Sequence, residues 1–419
     1  MMRRVNESRS GWNTFMAFSL IPLSGFAIDI YIPSLPDMTS HLHASPGAVQ
    51  LTLSIFMISY GLSQLLVGSL VDSFGRYIPS LVSLLVFSAA SFAIAYSSDL
   101  QLIYWMRAIQ GLTVAIIMVS KRAYFVDIFS GEQLKKYTSM FSVIWAIAPI
   151  VAPFLGGFFQ IQWGWTANFK FLGYFGLLFF IAESVIGGES MKAAQPFRFR
   201  PIINSYGSML KTPDFTTGIL ILGLTYAMLL VYGMASPFLI ESKLHYTASM
   251  TGYCSLFSGV SVFIGGSISR MLIQRPFFGK LIIANIIQLV SVCILIPVTL
   301  YYQNLFTLLL FVFLLHCAGG FIFNNFLSYC LIRFPQYAGK AGGLVGGGFA
   351  VVTSIFSSVL VNSITVTGQS ALGIVYAVLG VLVFVLLLKT KWKEAGAKPA
   401  DPVADFSKSY LRPGTSQLQ

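Results

Sequence analysis

Charge is what this sequence has least of. Only 10% of its 419 residues are Asp, Glu, Lys or Arg, against about 25% in a soluble globular chain. Acids are scarcer still, 14 against 26 Lys and Arg. So few charges cannot cover a folded surface in water, which excludes an ordinary soluble domain. Cysteine is sparse too: Cys254, Cys293, Cys317 and Cys330 lie in apolar runs without metal-ligand spacing and read as packing residues. No phosphate-binding glycine loop, nucleophile motif or His/Cys cluster occurs, and His41 with His43 makes too thin a site for a metal. The expectation is therefore no enzyme, no catalytic residues, no metal and no cofactor.

What is abundant is apolar sequence. Hydrophobic residues make up 56% of the chain, and mean hydropathy is +0.78. A spanning helix needs about 20 apolar residues, so twelve would use about 240, near the hydrophobic total. The fold class expected is an all-α polytopic membrane protein. The apolar run at the N-terminus is too long for a cleaved signal peptide and lacks a small-residue cleavage site before Asp29. Spans are expected near 13–38, 48–70, 78–97, 100–123, 137–160 and 168–187, then near 215–240, 248–270, 279–300, 304–330, 341–363 and 369–389. That divides the chain into an N-terminal bundle (1–187), a linker (188–213), a C-terminal bundle (214–390) and a disordered tail (391–419). The linker mixes Lys192, Arg198, Arg200 and Lys211 with Phe197, Phe199, Ile202, Ile203 and Leu210. Such a segment suits a membrane face, with rings among headgroups and cations toward anionic lipid.

The net charge of +12 would suggest nucleic acid in a soluble protein, but here its distribution reports topology. With the N-terminus inside, every Lys and Arg except Arg107, Lys170 and Lys243 falls in an inner segment. The positive-inside bias then puts both termini in the cytoplasm.

One acid breaks the first apolar run: Asp29, in Asp29-Ile30-Tyr31-Ile32-Pro33-Ser34-Leu35-Pro36. A charge that deep costs roughly 2.5–3.5 kcal/mol on insertion scales, so a retained one marks a functional candidate, unless it snorkels from a helix end. Pro33 and Pro36 end or kink the helix beside it. Arg107 lies at similar depth in the fourth span, roughly 12–14 Å below the outer face at 1.5 Å per residue. If the two pair, burial and a guanidinium act on the carboxylate in opposite senses, which suits loading and release of protons. A static structural pair is the alternative. Glu183 in the sixth span reads as a second titrating acid or an interfacial residue. His316 in the tenth reads as a hydrogen-bonded packing residue or a proton carrier. Tyr31, Phe56, Tyr60, Trp145, Tyr226 and Tyr232 are candidates for a greasy cavity wall.

The halves look duplicated. Gly61 and Gly68-Ser69 recur as Gly259 and Gly266-Ser267, Pro33 as Pro237, and Arg107 with Gly111 as His316 with Gly320. The order and spacing favour a six-plus-six repeat. The charges did not duplicate: Gly233 and Arg270 stand where Asp29 and Asp72 would.

After the second span comes Gly68-Ser69-Leu70-Val71-Asp72-Ser73-Phe74-Gly75-Arg76. Its glycines allow close helix approach, and Asp72 with Arg76 offers a charge pair at the inner face. Taken alone, it is also an ordinary turn with a surface pair worth under about 1 kcal/mol. The pattern resembles the loop signature of the major facilitator superfamily, and the resemblance covers essentially the whole chain. It implies two six-helix bundles and an inner-face gate at Gly68, Leu70, Asp72, Gly75 and Arg76. Arg107-Ala108-Ile109-Gln110-Gly111 looks like the motif of proton-coupled members. Pro149, Pro153, Gly156 and Gly157 resemble the antiporter motif, with Ala148 departing from its usual Gly. Asp29 to Pro33, Arg122-Ala123 with Asp127, and Trp163-Gly164-Trp165 with Phe169 look like the bicyclomycin/chloramphenicol-resistance (Bcr/CflA) drug:proton antiporters. In the second-half loop Arg270 replaces the acid and Gln274 precedes Arg275.

The resemblance implies a proton-driven exporter of hydrophobic or amphipathic small molecules in a bacterial inner membrane. It would act as a monomer among lipids, with the proton gradient as energy source and no nucleic-acid partner. Two rival functions remain: a proton-coupled importer of a nutrient, amino acid or siderophore, and a non-transporting membrane sensor.

Overall fold

The computed structural model describes Arg4, residues 10–191, 199–334, 338–364, Val366 and residues 368–396. Among them eleven helices are long and apolar enough to cross a membrane, and Ile147–Trp163 is a shorter apolar stretch within one further long helix. The spanning elements are α1 (Gly11–His41), α2 (Pro46–Phe74), α3 (Tyr77–Ala95), α4 (Leu100–Ile128), α5 (Gly131–Trp163) and α6 (Thr166–Ile186). They continue with α7 (Pro213–Lys243), α8 (Ala248–Met271), α9 (Phe277–Tyr301), α10 (Leu305–Ile332), α11 (Ala338–Ile364) and α12 (Gln369–Gly396). Large apolar side chains such as Leu178 and Phe306 stand exposed on the outside, where lipid rather than water would cover them.

Most expected spans are found, but several helices run further than hydropathy suggested. α4 continues past 123 to Ile128 and α5 begins at Gly131, because the polar residues there remain good helix formers. α12 carries on to Gly396, so the tail expected from Lys391 begins as helix; residues 397–419 lie outside the described residues. α1 breaks twice. Pro22 precedes the piece Leu23–Asp29, and a 3-10 turn at Ile32–Ser34, with Pro33 inside it, leads into Leu35–His41. Pro33 and Pro36 predict only the second of these breaks.

Helix ends are held locally. Ser45 Oγ accepts from Ala48 N at 3.3 Å, and Asp99 Oδ1 accepts from Gln101 N at 2.9 Å. Asn304 and Thr307 form a reciprocal capping box at the start of α10.

The duplicated glycines play matched parts. A Cβ at Gly111 would meet the Phe56 carbonyl at 2.5 Å, joining α4 to α2; one at Gly320 would meet the Val262 carbonyl at 2.3 Å, joining α10 to α8. Gly61 abuts the Gly347 carbonyl, so α2 meets α11, and Gly259 abuts Ile150, so α8 meets α5. Two six-helix bundles thus face each other through paired contacts, α2 on α11 and α8 on α5.

Between the bundles lies a further helix, Phe199–Leu210. Ile202 and Met209 are buried and Tyr206 OH donates to the Leu65 carbonyl at 2.8 Å, while Ile203 and Leu210 stay exposed. Lys340 Nζ reaches Ser205 Oγ at 3.0 Å, so this helix touches both α2 and α11. It docks on protein along one face and leaves Ile203 and Leu210 exposed on the other, while Lys192, Phe197 and Arg198 of the expected membrane-surface segment lie outside the described residues.

Candidate functional site

A cavity of about 900 Å³ lies between the bundles. Its deep wall carries Ile21, Tyr60, Pro149 and Tyr226, and its mouth is formed by Arg270, Arg275 and Lys280 around the α8–α9 turn. It opens on the face rich in Lys and Arg. The opposite face is shut by contacts across the halves. Gln50 Nε2 donates to the Met234 carbonyl at 2.7 Å, Ser54 bonds Ser358, and a Cβ at Gly157 would meet the Ala248 carbonyl at 2.6 Å.

Of the proposed aromatic wall, Tyr60 and Tyr226 do face the cavity. Tyr31 and Phe56 instead sandwich Arg107, whose guanidinium carbon lies 4.8 and 4.5 Å from their ring centroids. Tyr232 packs edge-on to His316. The Trp145 side chain lies outside the described residues.

Arg107 is fully buried. Its Nη1 donates to the Ala27 carbonyl at 2.9 Å and to Gln110 Oε1 at 2.8 Å, and its Nε to the Thr52 carbonyl at 3.3 Å. Gln110 Nε2 in turn donates to Ser91 Oγ at 2.7 Å, and Tyr31 OH is 2.8 Å from Thr52 Oγ1. The guanidinium therefore ties α4 to α1, α2 and α3. The expected pairing with Asp29 is not among the ion pairs of the described residues. The break after Asp29 gives Arg107 Nη1 a backbone acceptor at Ala27, two residues upstream of the carboxylate, while its Nη2 is buried without a hydrogen-bond partner.

Asp29 is itself buried, and its Oδ2 has no hydrogen-bond partner. It lies within electrostatic reach of Tyr31 and of Tyr226 on α7. A small void of about 20 Å³ adjoins the deep end of the cavity, bounded by Ser24, Gly25, Ile28, Tyr60 and Tyr226. It has room for about one water, one residue along the chain from Asp29.

The other candidates fall into separate roles. Glu183 pairs with Lys121 of α4 in a buried salt bridge within the N-terminal bundle, away from the cavity wall. His316 is buried, with Nδ1 2.7 Å from Ser258 Oγ and Nε2 2.9 Å from Tyr376 OH. It fastens α8, α10 and α12 much as Arg107 fastens the first half.

At the basic face Arg76 gathers the inner loop. Its Nη2 is 2.7 Å from Asp72 and its Nε 3.2 Å from Asp127, with Ser190 Oγ also 3.0 Å from Asp127. Gly75 ends α2 at φ +94°, a left-handed conformation that favours glycine, and a Cβ there would also strike Glu189. Glu189 accepts from the backbone N–H groups of Arg76 and Tyr77 at 3.0–3.1 Å and so caps α3. Nothing in the sequence singled out Glu189, which sits at the start of the linker without a motif. Leu70 is half-buried beside the loop, and a Cβ at Gly68 would meet nothing within 4 Å. Arg122 faces the cavity, apart from the Asp127 that shares its motif.

The proline-glycine motif of α5 lies against both bundles. Pro149 lines the cavity, a Cβ at Gly156 would lie 1.5 Å from the Ile30 carbonyl, and Pro153 O is 2.8 Å from the Cβ position of Gly252 on α8. That motif holds the broken part of α1, with Asp29 and Pro33, against α5.

Among the described residues, twelve long helices in two facing bundles, with a central cavity open to a single side, make the architecture of a membrane transporter of the major facilitator type. The chain belongs to the Major Facilitator Superfamily, whose family profile matches residues 17–357. It is 26% identical over 387 residues to Multidrug resistance protein D of Escherichia coli, covering 91% of this chain and 96% of that protein. It is 26% identical over 368 residues to a Bicyclomycin resistance protein homolog of Haemophilus influenzae, covering 85% and 91%. These relatives agree with the Bcr/CflA signature. The crystal structure of a D-xylose-proton symporter superposes with a TM-score of 0.69 at 14% identity, covering 90% of this chain and 97% of that one, and so shares the fold.

Proposed function

We propose that this protein is a proton-driven exporter of hydrophobic or amphipathic small molecules, working by alternating access in a bacterial inner membrane. The basic face is cytoplasmic, both termini lie there, and the structure is an inward-open state. Residues 1–187 and 214–390 rock against each other about the linker 188–213. The observation that carries this reading is Asp29, a buried carboxylate with an unpartnered oxygen, next in the chain to Ile28, which lines a water-sized void beside the deep end of the cavity. Asp29 takes up a proton when that end opens outward and releases it through the void when the cavity faces inward. Arg107 is a positioning residue: it anchors the Ala27 carbonyl and so fixes the broken helix that carries Asp29. The names of the relatives, multidrug and bicyclomycin resistance, support export of drug-like molecules. The protein would work as a monomer, with a small molecule, protons and lipid as its partners and no cofactor.

The direction of coupling separates export from import. In proteoliposomes, an antiporter accumulates substrate against its gradient on the more acidic side. Accumulation on the alkaline side would instead make the protein a symporter, and absence of uphill movement in either direction would leave no coupled transporter.

A further inference from the structure

The cavity wall is charged with one sign. Arg122, Arg270, Arg275 and Lys280 line it, and no Asp or Glu does among the described residues. On the same face three cations that do not line the cavity have acids: Arg76 has Asp72 and Asp127, Lys121 has Glu183, and Arg333 has Asp214 at 2.7 Å. Arg122, Arg270 and Arg275 take part in none of the ion pairs of the described residues. The positive-inside bias accounts for Lys and Arg at this face. It does not account for a cavity wall that, among the described residues, carries four cations and no carboxylate. Arg270 stands in the second-half loop at the position that carries Asp72 in the first. The departure thus replaces an acid with a base at the mouth.

Above these cations the wall turns apolar. The rings of Tyr226, Phe323 and Phe349 lie with centroids 5.5–5.7 Å apart, and Asn324 adds an amide beside them. Like charges around a cleft of low-dielectric walls concentrate a potential that draws in anions and repels cations. Aromatic rings bury a flat apolar body.

We propose that the substrates are amphipathic organic anions: a carboxylate, sulfonate or phosphate head held by Arg122 and Arg270, and an aromatic or otherwise apolar body against the rings. This rests on the export reading above. It carries a consequence for charge balance. An anion leaving as a proton enters moves one more charge per cycle than an uncharged substrate does, so its export draws more strongly on the membrane potential.

The test uses the full chain, purified and also reconstituted in liposomes, with three probes: anilinonaphthalene sulfonate, its uncharged parent phenylnaphthylamine, and ethidium. Binding is measured by equilibrium dialysis and transport by uphill movement on a pH gradient. The sulfonate should bind about tenfold or more tighter than ethidium, and its uphill movement should respond more steeply to an imposed potential than that of phenylnaphthylamine. Arg270→Gln should lower the ratio of sulfonate to phenylnaphthylamine affinity by about fivefold, Arg270→Lys should preserve it, and Arg270→Glu should turn preference toward ethidium. Equal binding of sulfonate and ethidium, or a ratio unmoved in Arg270→Gln and Arg270→Glu alike, overturns the proposal. So does loss of sulfonate binding on adding phosphatidylglycerol, with no sulfonate transported, because the mouth is then an anionic-lipid site. Sulfonate bound but no probe moved uphill upholds the anion site and defeats the export reading. Phenylnaphthylamine moved with no sulfonate bound does the reverse.

Discussion

Arg107 has the most to say at the scale of single residues. Its charge, depth and motif were legible in the sequence; its partners were not. Side chains announce themselves in a sequence, whereas a carbonyl becomes an acceptor only where the backbone breaks, as at Ala27 beside Asp29. The same limit hid the buried pairing of Glu183 with Lys121 and the capping of α3 by Glu189, since both join positions far apart in the chain. Arg107→Ala removes three hydrogen bonds from a buried cation and two ring contacts, and should destabilise the protein by about 3 kcal/mol. Arg107→Lys should recover less than half of that, because a single ammonium cannot span the same acceptors. Thermal unfolding in detergent reads both. With no ion pair to Asp29, whatever transport survives in Arg107→Ala should keep the wild-type pH midpoint. A displaced midpoint would show the two residues coupled after all.

Elements were read more fully. Apolar run lengths located the spans, and glycine spacing exposed the repeat, because close helix contact requires glycine at Gly61 and Gly111 and at their counterparts Gly259 and Gly320. Helix ends were less visible: hydropathy stops where the bilayer does, while α4 and α5 continue beyond it. Nor does spacing tell which glycine is crowded. Gly156 sits against the Ile30 carbonyl, and a Cβ there would lie 1.5 Å from it, whereas nothing surrounds the Cβ position of Gly68. Gly156→Ala should therefore push α5 from α1 at a cost of about 1–3 kcal/mol and impair transport. Gly68→Ala should leave the unfolding temperature unchanged or raise it, since alanine favours a helix by about 1 kcal/mol over glycine. Equal melting of the two variants would contradict the packing described for α5.

At the scale of the whole molecule, the two bundles meet on one face and part on the other, and the sequence does not say which state the chain adopts. Asp72 is half-exposed and bonds Arg76 within its own bundle. A contact it makes only when the basic face closes would bias the equilibrium between states. Losing about 1–2 kcal/mol of such a contact shifts that equilibrium roughly five- to thirtyfold. Asp72→Asn should raise labelling of Gly266→Cys in the cavity from the basic side, and lower that of Gln50→Cys from the other, in a background without the four native cysteines. Unchanged labelling at both would make the loop a turn and not a gate. The central claim, that Asp29 couples protons to export, is tested most directly by Asp29→Asn, which keeps shape and removes the titrating group. In proteoliposomes this variant should still exchange substrate down its gradient but fail to move it uphill on an imposed pH gradient. Uphill transport at the wild-type rate would contradict the account.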